Sequence, residues 1–147
     1  MLAKDADATR SVGKQIADAL TGGENLLLYG DLGAGKTTLV QGLAEGLGIT
    51  EPVKSPTYAY LREYVIPLRS TRLAHFDLHR LPESSGAAEL ESIGLLDRLS
   101  DTDTLVVVEW AERLGEKADP FHRIRLEEME DGRLIELPQA LARRVAL

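Results

Sequence analysis

The sequence predicts a three-layer α/β fold with a mostly parallel central sheet and an antiparallel C-terminal hairpin. Short unbroken apolar runs, typical of buried parallel strands, occur at 26–29, 73–78 and 105–109. Segments with helical periodicity separate these runs, and alternation of the two element types is the pattern of α/β proteins. A length of 147 residues fits one domain, which we expect to span residues 1–147.

The first part of the chain follows a helix, strand, helix order. Apolar residues at helical spacing predict an amphipathic helix that begins near Asp7 or Thr9 and ends at the glycine pair 22–23. The apolar run 26–29 is short and flanked by glycines, which favours a central parallel strand over a helix. A second helix is predicted at 36–47, with leucines on one face and a glycine directly after it.

The rest of the chain is less uniform in pattern. For 52–72 we expect an irregular loop together with an edge strand, and for 87–100 a helical segment. Residues 123–126 alternate between polar and apolar, and the Asp-Gly pair at 131–132 is a hairpin turn signal. Residues 134–137 can return antiparallel, which completes the predicted C-terminal hairpin.

Composition excludes several classes of protein. The chain has no cysteine, which rules out disulfides, thiolate metal sites and a cysteine nucleophile, and fits a reducing cytoplasm. Its 24 acidic and 17 basic residues give a net charge of −7, which argues against tight nucleic-acid binding by this chain alone. The N-terminus lacks a signal-peptide pattern and no apolar run is long enough to span a membrane, so we expect neither export nor membrane insertion.

A glycine-rich motif lies between the first apolar strand and the second helix. Residues 30–37 read Gly-Asp-Leu-Gly-Ala-Gly-Lys-Thr, which satisfies the G-x-x-x-x-G-K-[ST] pattern of a P-loop and predicts a P-loop NTPase-like sandwich. In such a loop, backbone N–H groups surround the β-phosphate, Lys36 reaches the β- and γ-phosphates, and the Thr37 hydroxyl binds Mg²⁺. The predicted nucleotide-binding residues of this loop are Asp31, Gly33, Ala34, Gly35, Lys36, Thr37 and Thr38.

A P-loop also needs a carboxylate for magnesium at the end of a neighbouring strand. Glu109 follows four apolar residues and occupies that place, so we expect it to contact Mg²⁺ directly, to contact it through water, or to act on the attacking water. The alternative is a solvated acid at the end of a strand. Asp101 and Asp103 precede the same strand, so we expect them at the opposite edge of the sheet. Asn25 is the only asparagine and leucine follows it, so the Asn-Lys-x-Asp motif of guanine sites is missing and ATP is favoured over GTP.

Three further motifs follow the P-loop in order: Ser-Pro-Thr-Tyr at 55–58, His-Phe-Asp-Leu-His-Arg at 75–80, and Glu-Trp at 109–110. Together with the P-loop they span nearly the whole chain, and they resemble the bacterial TsaE (YjeE) family of tRNA threonylcarbamoyladenosine biosynthesis ATPases. The resemblance implies a weak Mg²⁺-dependent ATPase that acts with two partner proteins, TsaB and TsaD. That assembly installs the threonylcarbamoyl group on adenosine 37 of tRNA. The chain is then expected to contact tRNA through the complex.

The same resemblance implies roles for individual side chains. Thr57 would sense the γ-phosphate or its magnesium, with a plain turn as the alternative. Asp77, expected to end a strand beside the P-loop strand, would orient or deprotonate the attacking water, or else hold Lys36 or the magnesium waters. Lys36, Asp77 and Glu109 are thus the predicted catalytic residues. Trp110 would lie near the nucleotide or a partner surface, with packing under the P-loop as the alternative.

Two histidines share a strand face with Asp77. His75, Asp77 and His79 alternate and could imitate a metal site, but ATP chemistry explains them better beside an intact P-loop, and we expect the histidines to be ordinary strand-end residues. His79 stands where the family commonly has tyrosine, and the sequence assigns it no role.

Four arginines are predicted to cluster between the P-loop helix and the second half of the sheet. For each, a solvated position is the plainest interpretation, while contact with transition-state charge, a partner or tRNA is the functional one. The four are Arg62, Arg69, Arg72 and Arg80, of which Arg80 is the best functional candidate because it lies in the third motif.

Two other functions remain as alternatives to a partner-gated ATPase. A small-molecule P-loop kinase would need an acceptor pocket and usually an arginine-rich lid. A non-catalytic module that senses ATP would keep Lys36 and Thr37 but would not hydrolyse nucleotide even in its assembly.

Overall fold

The computed structural model contains a sheet of seven strands with helices on both faces. It describes residues 1–20, 24–31, 33–56, 60–67, 69, 71–81, 87–118 and 122–145. Within these ranges the strands are β1 (Leu2–Ala3), β2 (Leu26–Tyr29), β3 (Leu61–Ile66), β4 (Thr71–Asp77), β5 (Thr104–Glu109), β6 (His122–Met129) and β7 (Gly132–Glu136). The α-helices are α1 (Ala6–Ala19), α2 (Lys36–Gly46), α3 (Ala87–Ser92), α4 (Leu95–Ser100) and α5 (Gln139–Val145), and a 3₁₀ segment covers Ala111–Ala118.

The strand order across the sheet is β1-β7-β6-β2-β5-β4-β3. The four central strands, β6, β2, β5 and β4, are parallel to one another, whereas β3, β7 and β1 pair antiparallel at the two sides. The predicted α/β class and the C-terminal hairpin, β6 with β7, are therefore confirmed. The region 52–72 contains the expected edge strand, which is β3.

The parallel centre of the sheet follows from side chains that are buried on both faces. Every residue of β5 is buried, as are the three leucines of β2, so these strands need helices on each side. In the β2–β5 register Leu28 lies opposite Glu109, and in the β4–β5 register Asp77 lies opposite Glu109. The carboxyl ends of β2, β5 and β4 therefore meet at one edge, next to the loop that follows β2.

The three layers are visible in the packing of the core. On one sheet face, α1, α2 and α5 cover Leu26, Leu28 and Val107, and on the other α3 and α4 cover Leu27 and Val108. Helices α1 and α2 approach closely because Gly13 of α1 lies against the backbone of α2 and Gly42 of α2 lies against the backbone of α1. A Cβ atom at Gly42 would lie 2.1 Å from the carbonyl oxygen of Arg10.

Several details differ from the sequence-based expectations. The P-loop strand β2 is not next to β4, since β5 lies between them, so Asp77 is one strand further from the loop than we expected. The helical segment 87–100 is divided into α3 and α4, because Gly94 adopts a left-handed conformation with φ of 85°. The first helix begins at Ala6, where the Asp5 side chain accepts a hydrogen bond from the Ala8 N–H at 2.8 Å.

The described helices are all too short or too polar to traverse a lipid bilayer.

Candidate functional site

The loop after β2 is shaped by glycines that adopt conformations other residues avoid. Gly33 and Gly35 have φ of 83° and 101°, in the left-handed region. Gly35 is the N-cap of α2, and among the described residues no side chain caps this helix end. The first N–H groups of α2 are thus left for an external acceptor, which the positive end of the helix dipole favours as an anion.

Lys36 begins this helix and is buried within the loop. Its ammonium donates a hydrogen bond to the carbonyl of Gly30 and lies 3.7 Å from the centroid of the Trp110 ring. Burial lowers the pKa of Lys36, although the carboxylates of Glu112 and Glu109 act in the opposite direction. A buried cation held by a carbonyl and an aromatic ring is well suited to receive an anionic ligand.

Thr37 and Glu109 are brought together by the pairing of β2 with β5. The Thr37 hydroxyl donates to the carboxylate of Glu109, with Oγ1 at 2.9 Å and 3.1 Å from its two oxygens. Glu109 is only 2% exposed, and Nε2 of His75 donates to its Oε2 at 2.5 Å. A hydroxyl and a carboxylate are oxygen donors of the kind Mg²⁺ prefers, so the two residues predicted to hold magnesium fit that ion chemically.

Asp77 ends β4 and is held by three hydrogen-bond donors. The Ser55 hydroxyl donates to Oδ2 at 2.5 Å, and the backbone N–H and ring Nδ1 of His79 donate to Oδ1 at 3.0 Å and 2.8 Å. Burial raises the pKa of Asp77, but the hydrogen bonds from Ser55 and His79 outweigh it and hold the pKa below its usual value. Asp77 is therefore an anion in the neutral pH range.

These groups line one cavity of about 290 Å³ beside the loop. Its lining residues are Gly33, Gly35, Lys36, Thr37, Thr38, Ser55, Asp77, His79, Glu109, Trp110 and Arg133. Two other predicted loop residues, Asp31 and Ala34, line a second cavity beside the same loop, with Glu112 and Arg125. Thr57, the predicted γ-phosphate sensor, is outside the described residues.

Trp110 follows Glu109 directly and has a strained backbone. Its φ is 58°, a conformation that is rare for a bulky residue and that concentrates at functional sites. The ring lies over the Lys36 ammonium, and its centroid is 6.2 Å from that of His79. Trp110 also lines the cavity beside the loop.

His75 contributes a contact to this site that the sequence did not predict. We expected an ordinary strand-end residue, but His75 lies inside β4, is fully buried and contacts Glu109 on the neighbouring strand. The signal was available as a histidine within an otherwise apolar strand, two residues before Asp77. The sequence did not indicate that Glu109 would be its partner, because that contact depends on the register between β4 and β5.

Two further contacts to the loop come from residues that the sequence did not single out. Glu112 accepts a hydrogen bond from the Gly30 N–H at 3.2 Å, and Arg133 of β7 donates to the carbonyl of Gly33 at 3.4 Å. Arg133 is 100 residues from Gly33 in sequence, so no local pattern could have indicated the contact.

The predicted arginine cluster is wrong. Arg72 lies at the other end of the sheet, where it lines a cavity with Asp101 and Asp103, the two acids that were expected there. Arg69 lies in the turn before Arg72, whereas Arg62 pairs in register with His75 near the candidate site. Antiparallel pairing of β3 with β4 separates the arginines, because it sends the connecting turn away from the carboxyl edge. Arg80 follows β4 at that carboxyl edge.

Comparisons with known proteins give a consistent result. The family model described as "Threonylcarbamoyl adenosine biosynthesis protein TsaE" matches residues 3–135. Proteins named "tRNA threonylcarbamoyladenosine biosynthesis protein TsaE" from Nostoc sp. and Streptomyces coelicolor are 39% and 40% identical, covering 87% and 80% of this chain and 77% and 78% of their own. The crystal structure of Bacillus subtilis YdiB superposes with a TM-score of 0.75 at 28% identity, covering 97% of this chain and 89% of that one. The resemblance drawn from four short motifs is thus confirmed, and the chain belongs to the TsaE family.

Proposed function

We propose that this chain is a Mg²⁺-dependent ATPase of tRNA threonylcarbamoyladenosine biosynthesis, which acts with partner proteins of the TsaB and TsaD type on position 37 of tRNA. The names of its relatives support the pathway. One observation carries the ATPase assignment: Lys36, Thr37, Asp77 and Glu109, from three different elements, line a single cavity at the start of α2.

Phosphate binding is the part of the proposal that rests most directly on the loop. The uncapped N–H groups at the start of α2 are available to bind an anion, and the Lys36 ammonium is largely buried beside them. A phosphate oxygen would replace the Gly30 carbonyl as the partner of Lys36 at little cost, because a side chain that is only 4% exposed has little hydration to lose. The triphosphate of ATP is the ligand that uses both features.

Magnesium fits between Thr37 and Glu109. These two residues would hold Mg²⁺, which when bound neutralises charge on the phosphate oxygens during transfer. His75 fixes the orientation of the Glu109 carboxylate from inside the sheet. This buried support keeps Glu109 from turning away from the cavity.

The lowered pKa of Asp77 bears on how this carboxylate would act on the attacking water. A carboxylate with a depressed pKa is a weak base, so Asp77 is better suited to orient the attacking water by accepting a hydrogen bond than to remove its proton. Its oxygens retain lone pairs for such a water, because a carboxylate offers about four acceptor positions and three donors are in place.

Partner proteins are expected to control the rate. A contribution from a partner, such as an ordered loop or an added cation, can increase phosphoryl transfer by about 10³- to 10⁵-fold. With a net charge of −7 the chain is a poor ligand for tRNA by itself, so we propose that it meets tRNA through the complex. Because tRNA and ATP share the cytoplasm, we propose that compartment for the chain.

Reconstitution tests this function. The purified chain is combined with the two partner proteins, unmodified tRNA, an activated threonylcarbamoyl donor and Mg-ATP, and the modified nucleoside is measured by mass spectrometry. We expect repeated modification with the wild type and its loss with Lys36→Ala. The matched control is Lys14→Ala, which removes an exposed lysine of α1 that pairs with Glu45 near the C-terminal end of α2. Equal modification by the wild type and Lys36→Ala would contradict the proposal.

A further inference from the structure

Arg133 contributes a second cation to the candidate site, from a part of the chain far from the P-loop. It lies on β7, where it pairs with Glu128 of β6 on one side and Ala3 of β1 on the other. Its side chain extends over the glycine loop, with Nη2 donating to the Gly33 carbonyl at 3.4 Å. The residue lines the same cavity as Lys36 and Glu109.

The hydrogen bonding of this guanidinium is incomplete. A guanidinium has five N–H donors, and the long contact to Gly33 uses one of them. The Nε atom is buried and has no hydrogen-bond partner within the described part of the chain. Leaving a buried donor without an acceptor is costly, so a ligand that supplies an acceptor oxygen to Nε would be favoured here.

Among the described residues, Arg133 forms no ion pair with a carboxylate, although the chain as a whole carries an excess of acids. The side chain instead lies against Gly35, where an added Cβ atom would be 2.8 Å from Cδ and 2.9 Å from Nε. Gly35 thus leaves room for a cation beside the N-terminus of α2.

We propose that Arg133 binds the polyphosphate chain of the nucleotide and is an arginine supplied by the chain's own C-terminal hairpin. This inference rests on the proposed nucleotide binding. A planar guanidinium with free donors matches two phosphate oxygens at once, which a lysine does not do. With Lys36 it places two cations at a cavity that also holds Asp77 and Glu109, and so offsets repulsion between those carboxylates and the phosphates.

Calorimetric titration of the full chain with Mg-ATP and with Mg-ADP tests the proposal. Arg133→Gln keeps an N–H donor for the Gly33 carbonyl but removes the charge, whereas Arg133→Lys keeps the charge but loses the planar fork. We expect Arg133→Gln to bind both nucleotides about 10- to 100-fold more weakly, and Arg133→Lys to recover part of the loss. The matched control, Arg143→Gln, makes the same charge change at an exposed position of α5 and should leave affinity unchanged.

The salt dependence of binding separates phosphate contact from support of the loop. Loss of a phosphate contact reduces the slope of log affinity against log salt, whereas loss of a loop brace weakens binding at every salt concentration alike. We expect a smaller slope for Arg133→Gln, with urea unfolding of the ligand-free protein near that of the wild type. Wild-type affinity in Arg133→Gln, or weaker binding with an unchanged slope, would overturn the inference while the proposed function stands. Failure of the wild type to bind either nucleotide would overturn both.

Discussion

The Thr37 hydroxyl donates to Glu109, with its Oγ1 atom 2.9 Å and 3.1 Å from the two carboxylate oxygens. The first residue lies in the first turn of α2 and the second at the end of β5, and the parallel pairing of β2 with β5 brings them together. His75 holds the same carboxylate from β4. Three elements therefore fix the oxygen atoms that we propose hold magnesium.

Glu109→Gln should weaken magnesium binding while leaving the fold intact. The amide oxygen can still accept from Thr37, but the negative charge that attracts the ion is gone. We expect the Mg²⁺ concentration that half-saturates ATP hydrolysis to rise about 10- to 100-fold, the range seen when metal sites are altered. It is measured by phosphate release at fixed ATP across a magnesium titration.

The control for this variant is Glu127→Gln, which removes the same charge from an exposed position of β6. A magnesium requirement that is the same in Glu109→Gln, Glu127→Gln and the wild type would show that Glu109 does not hold the ion.

Asp77→Asn should destabilise the ligand-free fold in a pH-dependent way. The folded pKa of Asp77 lies below its unfolded value, so the ionised carboxylate stabilises the fold above the unfolded pKa of about 3.9. That contribution is lost as the pH falls through the lowered folded pKa. We expect a deficit of about 1.5–3 kcal/mol in the free energy of unfolding at pH 7, typical of hydrogen bonds to a charged group, and we expect it to narrow in strong acid.

Urea unfolding of both proteins from neutral pH into strong acid measures this difference. Asp18→Asn, at an exposed position of α1, is the control and should differ little from the wild type at any pH. A deficit for Asp77→Asn that stays constant with pH would argue that the ionised carboxylate is not the stabilising form.

Gly42→Ala should disturb the contact between α1 and α2. The new methyl group would lie 2.1 Å from the Arg10 carbonyl oxygen, which belongs to backbone and cannot rotate aside. We expect a loss of about 3 kcal/mol in the free energy of unfolding, at the upper end of the usual cost of overpacking. Ser11→Ala, on the exposed side of α1, should change stability by about 0.5 kcal/mol or less. Equal urea midpoints for Gly42→Ala and the wild type would mean that the helices can separate at no cost.

Trp110 should report nucleotide binding directly. It is the only tryptophan, and its ring is 3.7 Å from the Lys36 ammonium, a charge that we propose moves toward phosphate when ATP binds. Titration with Mg-ATP should therefore change tryptophan emission, and Lys36→Ala should remove the change. If calorimetry detects binding to the wild type while emission stays constant, Lys36 does not leave the ring.

The sequence predicted the part of the site that is local in the chain. The strand, glycine loop and helix at 26–46 are contiguous, so their order and the residues near the phosphates follow from one motif. The position of Glu109 could also be predicted, because the carboxyl ends of neighbouring parallel strands meet at one edge of the sheet. The structure brings it to Thr37 as that rule implies.

Contacts that depend on strand order and register could not be predicted from the sequence in the same way. Local patterns do not say that β5 separates β4 from β2, and the expected neighbour of Asp77 was therefore wrong. Pairing of β6 with β7 and of β2 with β6 determines that Arg133 reaches Gly33. The break at Gly94 depends on how α3 and α4 pack on the sheet, since a single glycine within a helical pattern is often tolerated.

The most direct test of the account is phosphate release from Mg-ATP by the wild-type chain and Lys36→Ala, each alone and with the two partner proteins and tRNA. We predict slow release by the wild type alone, a clear increase when the partners are present, and none with Lys36→Ala under either condition. Release that persists in Lys36→Ala, or that the partners leave unchanged, would contradict a partner-gated ATPase built on this loop.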